Sequence, residues 1–242
     1  MKVIKAEDTR SLEPFRDRII EGDCLEAMKG IPGESIDMIL CDLPYGTTQN
    51  KWDSIINLDL LFTEYMRIIK PHGAIVLTSS GLFTAKLMLH APEIYKYKLI
   101  WVKSKATNFL NAKKQPLRNT GSYGAFSPKH VKSDGSRYPT DIVYFKTAES
   151  EGAVYHPTQK PVELGRYLIR TYTNPGDIVL DNACGSGSFC VAAVLEGRSF
   201  IGIEKNEDVA LFKKRPVDYI DICNQRIKEA KRTFEAKQQA IS

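Results

Sequence analysis

Long apolar runs are missing from this 242-residue chain. No stretch nears the ~20 residues needed to cross a bilayer as a helix, so no membrane span is expected. Paired cysteines are missing as well. Cys24, Cys41, Cys184, Cys190 and Cys223 are odd in number, scattered, and contain no Cys-x-x-Cys pair. That pattern argues against a disulfide framework and a zinc site, so free thiols in a reducing cytoplasm and no metal are expected. The first residues, Met1-Lys2-Val3-Ile4-Lys5-Ala6-Glu7-Asp8, lack the apolar core of a signal peptide. Internal repeats and low-complexity blocks are absent, which excludes a solenoid or an array.

What is present is ordinary in amount and informative in order. Hydrophobic residues make up 43% and charged residues 26%, values of a globular domain with a substantial core. Apolar runs alternate with amphipathic stretches, the pattern of a doubly wound, mostly parallel α/β sheet. Strands are expected at Arg18–Ile20, Ile36–Cys41, Ala74–Thr78, Tyr97–Val102, Asp141–Phe145, Ile178–Leu180 and Phe200–Ile203. Helices are expected at Leu25–Lys29, Leu58–Lys70, Leu82–His90, Pro161–Thr173, Phe189–Glu196 and Asp218–Lys237. Pro71-His72-Gly73 reads as the stop after the second helix. Residues 1–242 therefore read as one domain, interrupted at 104–140 by a segment rich in Asn, Gly, Ser, Pro and Lys without periodicity.

Charge is concentrated at that interruption. Lys103, Lys105, Lys113, Lys114, Arg118, Lys129, Lys132 and Arg137 face Asp134 alone, a net +7, so the rest of the chain carries −2 of the overall +5. A basic segment on a near-neutral body is the footprint of a polyanionic partner.

Three motifs sit at strand ends, where α/β sheets gather their ligands. Ile36–Cys41 runs into Asp42-Leu43-Pro44-Tyr45. A carboxylate, a backbone carbonyl aimed by the following proline, and an aromatic ring can together grip the exocyclic amino group of a flat base. Ile178–Leu180 runs into Asp181-Asn182-Ala183-Cys184-Gly185-Ser186-Gly187, whose glycines permit close backbone approach ahead of a helix N-terminus. Glu204 closes the next strand roughly 20 residues on, the spacing at which an acidic residue takes ribose hydroxyls. His156-Pro157-Thr158-Gln159-Lys160-Pro161 opens the helix before the glycine loop, with hydrogen-bonding groups at Thr158 and Gln159 and a cation at Lys160. Taken singly, each is also ordinary turn or helix-start chemistry.

Taken together they resemble the β class of DNA amino methyltransferases, across about Arg18 to Lys228. The likeness is greatest to adenine-specific members of phages and restriction–modification systems. It rests on the tetrapeptide first, then the insertion, then His156–Pro161, then the glycine loop; Leu43 stands where that family usually has proline. The resemblance implies a circularly permuted methyltransferase sheet, with the basic insertion recognising DNA through Lys103, Lys105, Lys113, Lys114 and Arg118. It implies S-adenosyl-L-methionine bound by Asp23, Cys24, His156, Thr158, Gln159, Lys160, Asp181, Ala183, Cys184, Gly185, Ser186, Gly187, Glu204 and Lys205. Asp23 would stand at the cofactor adenine and Glu204 at its ribose. Asp42, Leu43, Pro44 and Tyr45 would form the catalytic segment, with Tyr45 stacking on a flipped base. Closure of Thr47–Asp53, including Trp52, and base reading by Asn108, Asn111, Gln115 or Asn119 are further expectations.

After Asn119 the chain is shorter than in that family, and Asp141–Phe145 is expected to supply the strand found there. Some members of the class form homodimers. No cysteine follows a proline, which weighs against cytosine ring-carbon methylation. Open alternatives are a cytosine-N4 enzyme, an enzyme of RNA or single strands, and a DNA-binding relative with a relic pocket.

Overall fold

The computed structural model describes residues 10–46, 54–104, 141–206, 210–212 and 215–240. Its main sheet has five parallel strands. In spatial order they are β1 (Arg18–Glu21), β7 (Ser199–Glu204), β6 (Ile178–Asp181), β2 (Ile36–Cys41) and β3 (Ile69–Leu77).

Both faces of this sheet are covered, which is why its central strands are apolar throughout instead of alternating with polar residues. Ile39 and Cys41 of β2 join the core beneath α1 (Cys24–Lys29), α2 (Leu58–Ile68) and α3 (Leu82–His90). Met38 and Leu40 join the core beneath α4 (Val162–Tyr172), α5 (Ser188–Leu195) and α6 (Tyr219–Gln239). On α4 the buried stripe includes Leu164 and Leu168, one helical turn apart. α5 is buried from Ser188 to Val194, because it lies between α4 and α6. Gly165 lets α4 approach this closely: a Cβ there would stand 2.8 Å from the Phe189 ring and 3.0 Å from the Ala192 methyl. α6 also packs on β1.

Two expectations need correction. Pro71-His72-Gly73 is no stop between helix and strand. α2 ends at Ile68, β3 starts at once, and the pairing passes from Ile36–Ile69 to Met38–Ala74 through a bulge. Asp37 holds the bulge: its carboxylate pairs with Lys70 Nζ at 2.7 Å and accepts the Ile178 N–H of β6 at 2.9 Å. Second, β5 (Ile142–Phe145) adds no strand to the main sheet among the described residues. It pairs in parallel with β4 (Ile100–Lys103), as a separate two-stranded sheet. Trp101 and Phe145 turn inward instead, against the core beneath α4, and Trp101 Nε1 donates to the Phe145 carbonyl at 3.0 Å. An antiparallel pair, β8 (Ala210–Phe212) with β9 (Arg215–Val217), precedes α6 and was not expected.

The fold places its site by topology. The chain leaves β2 toward α2 on one face and leaves β6 toward α5 on the other, so the switch point lies between these neighbouring strands. A crevice opens beyond the carboxyl ends at such a point. Asp42 and Asp181 stand at its two sides.

Candidate active site

The loop after β6 is built by backbone geometry. Gly185 and Gly187 adopt φ of +52° and +77°, the left-handed region that glycine enters freely. Cys184 N–H donates to the Ile203 carbonyl at 3.0 Å, and Gly185 N–H donates to Glu204 Oε2 at 2.7 Å. Glu204, at the end of β7, therefore holds the loop as well as lining the cleft. Burial pushes the Glu204 carboxyl up, against hydrogen bonds from the backbone of Gly185, Asn206 and Lys205. Asp181 is 3% exposed, and burial pushes it up to about 8, although the Cys41 thiol and the Ala183 N–H favour its charged form. At the end of β1, Asp23 caps α1 by accepting Leu25 N–H at 2.9 Å, and Lys205 Nζ stands 3.9 Å from its other oxygen. Cys24, beside it, is buried.

His156–Lys160 bridges the two sides of the cleft. Gln159 Oε1 accepts Tyr155 N–H at 3.0 Å and the Ser186 hydroxyl at 3.1 Å, so the segment grips the glycine loop. Burial lowers His156 to about 4; Asp42 opposes that shift and Lys160 adds to it. The neutral ring accepts Thr158 N–H at Nδ1, 3.2 Å away, which places its proton on Nε2. Its ring packs 4.9 Å from that of Tyr219. Sequence reasoning missed Arg226 of α6, which donates to the Ser186 carbonyl and, at 3.1 Å, to its hydroxyl. No spacing or motif marks Arg226 in the sequence; only the packing of α6 on α5 brings it under the loop.

On the β2 side, Asp42 lies in a polar cluster. Tyr45 Oη donates to Asp42 Oδ1 at 2.8 Å, the Thr78 hydroxyl donates to the same oxygen, and Lys160 Nζ pairs with Oδ2. Leu43 is buried at 3% exposure, and Pro44 lines the cleft. The Tyr45 ring stacks on Phe83 of α3, centroids 5.2 Å apart. Burial, then the Asp42 charge, pushes the Tyr45 phenol up, so it remains a hydroxyl donor. Thr78 and Phe83 carried no signal in the sequence as site residues.

Of the expected DNA-binding cations, Lys105, Lys113, Lys114 and Arg118 lie outside the described residues, as do Trp52, Asn108, Asn111, Gln115 and Asn119. Lys103 lines the cleft itself, with Nζ 4.8 Å from the centre of the Trp101 ring. Burial, then the charge of Lys160, lowers its pKa. Among the described residues no group of three or more His, Cys, Asp or Glu could hold a metal ion. No described helix is long and apolar enough to cross a membrane.

The glycine loop, Asp23, Glu204, His156–Lys160 and Asp42–Tyr45 thus line one cleft. A family model described as DNA methylase (N6_N4_Mtase) matches residues 90–214, more than half of the chain. This chain belongs to the DNA methylase family. The DNA methylase is 31% identical over 245 residues to the DNA adenine methyltransferase YhdJ of Escherichia coli (strain K12), spanning 83% of this chain and 82% of that protein. It is 26% identical over 264 residues to the type II methyltransferase M.HinfI of Haemophilus influenzae, spanning 91% and 71%. The crystal structure of an M1.HpyAVI–SAM complex shares its fold, with a TM-score of 0.60 at 23% identity over 87% of this chain and 98% of that one. S-adenosylmethionine is the methyl donor of the family.

Proposed function

We propose that this DNA methylase transfers a methyl group from S-adenosylmethionine to the exocyclic N6 amino group of an adenine flipped out of DNA. The observation that carries the reading is the meeting of Asp42–Tyr45 and the Asp181–Gly187 loop at the switch point, in one cleft. Adenine is preferred to cytosine because Asp42 occupies the acceptor position and because the relative at 31% identity is named an adenine methyltransferase.

The residues present fit the cofactor. Gly185 and Gly187 leave open backbone where side chains would intrude, and a Cβ on Gly187 would stand 2.9 Å from Cys223 Sγ. Glu204 and Asp23 offer carboxylates at the ends of adjacent strands β7 and β1, suited to ribose hydroxyls and to an adenine amino group. His156, Thr158 and Gln159 close the side toward the methionine part. When bound, S-adenosylmethionine supplies an electrophilic methyl group on a sulfonium.

The chain's own work is at the target nitrogen, whose lone pair is delocalised into the base. Asp42 accepts one N–H and the Leu43 carbonyl accepts the other, which turns the lone pair toward the donor and stabilises the positive charge that develops on nitrogen. Burial of Leu43 keeps that carbonyl's strand end dry. Pro44 restricts residue 43 to extended backbone and so aims the carbonyl. Holding both reactants in line supplies most of the acceleration, with no covalent enzyme intermediate. Incubation of duplex DNA with the protein and methyl-labelled S-adenosylmethionine tests this: label is expected in DNA, and a protein that binds the cofactor yet never labels DNA sinks the proposal.

A further inference from the structure

Cys41 of β2 pairs with Leu77 of β3, and the strands are parallel. The next residues on the two chains, Asp42 and Thr78, therefore emerge side by side, on the same face. Thr78 N–H donates to the Cys41 carbonyl at 3.0 Å, so the pairing continues to that point. The Thr78 hydroxyl then donates to Asp42 Oδ1, and Tyr45 Oη lies 2.9 Å from Thr78 Oγ1 and 2.8 Å from the same carboxylate oxygen. Each hydroxyl has one proton to give. Whether both protons go to Asp42 or Tyr45 gives its proton to Thr78, Oδ1 is the flanked oxygen. Oδ2 meets Lys160 alone among the hydrogen bonds of this cluster, and an ionised carboxylate oxygen has room for a second donor.

From this arrangement we propose that Thr78 is a positioning residue for the methyl transfer. It fixes the rotation of the Asp42 carboxylate so that Oδ2, beside Lys160, is the oxygen that receives the target amino group. The inference rests on the proposed role of Asp42 and adds to it which oxygen works and what aims it. Thr78 touches neither substrate nor donor; it acts through Asp42. A valine at 78 keeps the shape of the strand end and removes the donor, leaving the carboxylate free to rotate toward Lys160.

The test is steady-state methylation of duplex DNA by the full chain carrying Thr78→Val, Thr78→Ser or Thr78→Ala, each alone and in an Asp42→Asn background. Losing a hydrogen bond to a charged group predicts a fall in kcat of about 10- to 100-fold for Thr78→Val, and a similar fall for Thr78→Ala should valine pack badly. The KM for S-adenosylmethionine is expected to stay within about twofold, and Thr78→Ser to restore kcat, because an interaction made only at the reacting nitrogen affects kcat alone. In the Asp42→Asn background Thr78→Val should cost little more, since residues acting as a unit are not additive. Unchanged kcat in both Thr78→Val and Thr78→Ala overturns the inference, and so does a loss that serine fails to restore or that persists undiminished beside Asp42→Asn. Full turnover in Asp42→Ala would instead overturn the role of Asp42, a separate failure.

Discussion

Lys160 Nζ pairs with Asp42 Oδ2 across 118 positions of sequence, joining the segment before α4 to the end of β2. Their side chains are 15% and 21% exposed, so the pair is largely withdrawn from water and weakly screened. Removing one partner leaves the other's charge without compensation. Lys160→Met is therefore expected to lower both turnover and melting temperature. A double-mutant cycle with Asp42→Asn should give a coupling of about 0.5–3 kcal/mol. Additive effects on stability would show that the two groups do not interact.

Gly187 supplies a second prediction. Its φ of +77° opposes alanine, and so does the 2.9 Å that would separate an added methyl from Cys223 Sγ. The left-handed backbone alone costs about 1–2 kcal/mol. Gly187→Ala should lower the melting temperature and weaken S-adenosylmethionine binding by calorimetry. Adding Cys223→Ala relieves the contact and should recover part of the stability but not the strain. An unchanged melting temperature in Gly187→Ala contradicts this role for the loop glycine.

His156 gives a pH dependence with a definite sign. Its folded value of about 4 lies below the usual 6.5, so between these values the unfolded chain binds a proton that the folded chain refuses. The stability it contributes is complete above 6.5 and is lost as pH falls toward 4. Asp181 works in the opposite direction: raised from 3.8 to about 8, its contribution is complete below 3.8 and is lost as pH rises toward 8. The difference between wild type and His156→Gln isolates the first effect. Urea unfolding at pH 7 and pH 5 should show wild type losing more stability on acidification than the variant; equal losses refute the reading.

Lys103 separates cleft chemistry from phosphate binding. If about five cations of the 103–139 segment meet DNA phosphates, the log–log salt slope of binding is near −4 to −5. Lys103 lines the cleft beside Trp101 and Lys160, away from such a role. Lys103→Ala should leave the slope unchanged while reducing turnover. A slope that drops by about 0.9 would return Lys103 to the phosphate contacts.

Elements with a local signature were legible in the sequence. Leu164 and Leu168 announce α4 by helical spacing, and the apolar run Ile36–Cys41 announces a strand buried on both faces. The glycine loop and the Asp42 tetrapeptide were visible because their chemistry lies in consecutive residues. What stayed hidden depends on contacts between distant segments. Thr78 reaches Asp42 through strand register, Phe83 reaches Tyr45 through the seating of α3, and Arg226 reaches Ser186 through the packing of α6. In sequence, Arg226 is one more cation on a charged terminal helix. The β3 bulge was hidden because Pro71 and Gly73 are turn residues by composition, while Asp37 pairing with Lys70 makes them part of a strand.

The most direct test of the central claim is mass spectrometry of nucleosides from DNA treated with the protein and S-adenosylmethionine, wild type beside Asp42→Ala. The account predicts N6-methyladenine with wild type and none with the variant, which should still bind S-adenosylmethionine because Asp42 lies outside the glycine loop. N4-methylcytosine without methyladenine, or methyladenine made equally well by Asp42→Ala, would contradict it.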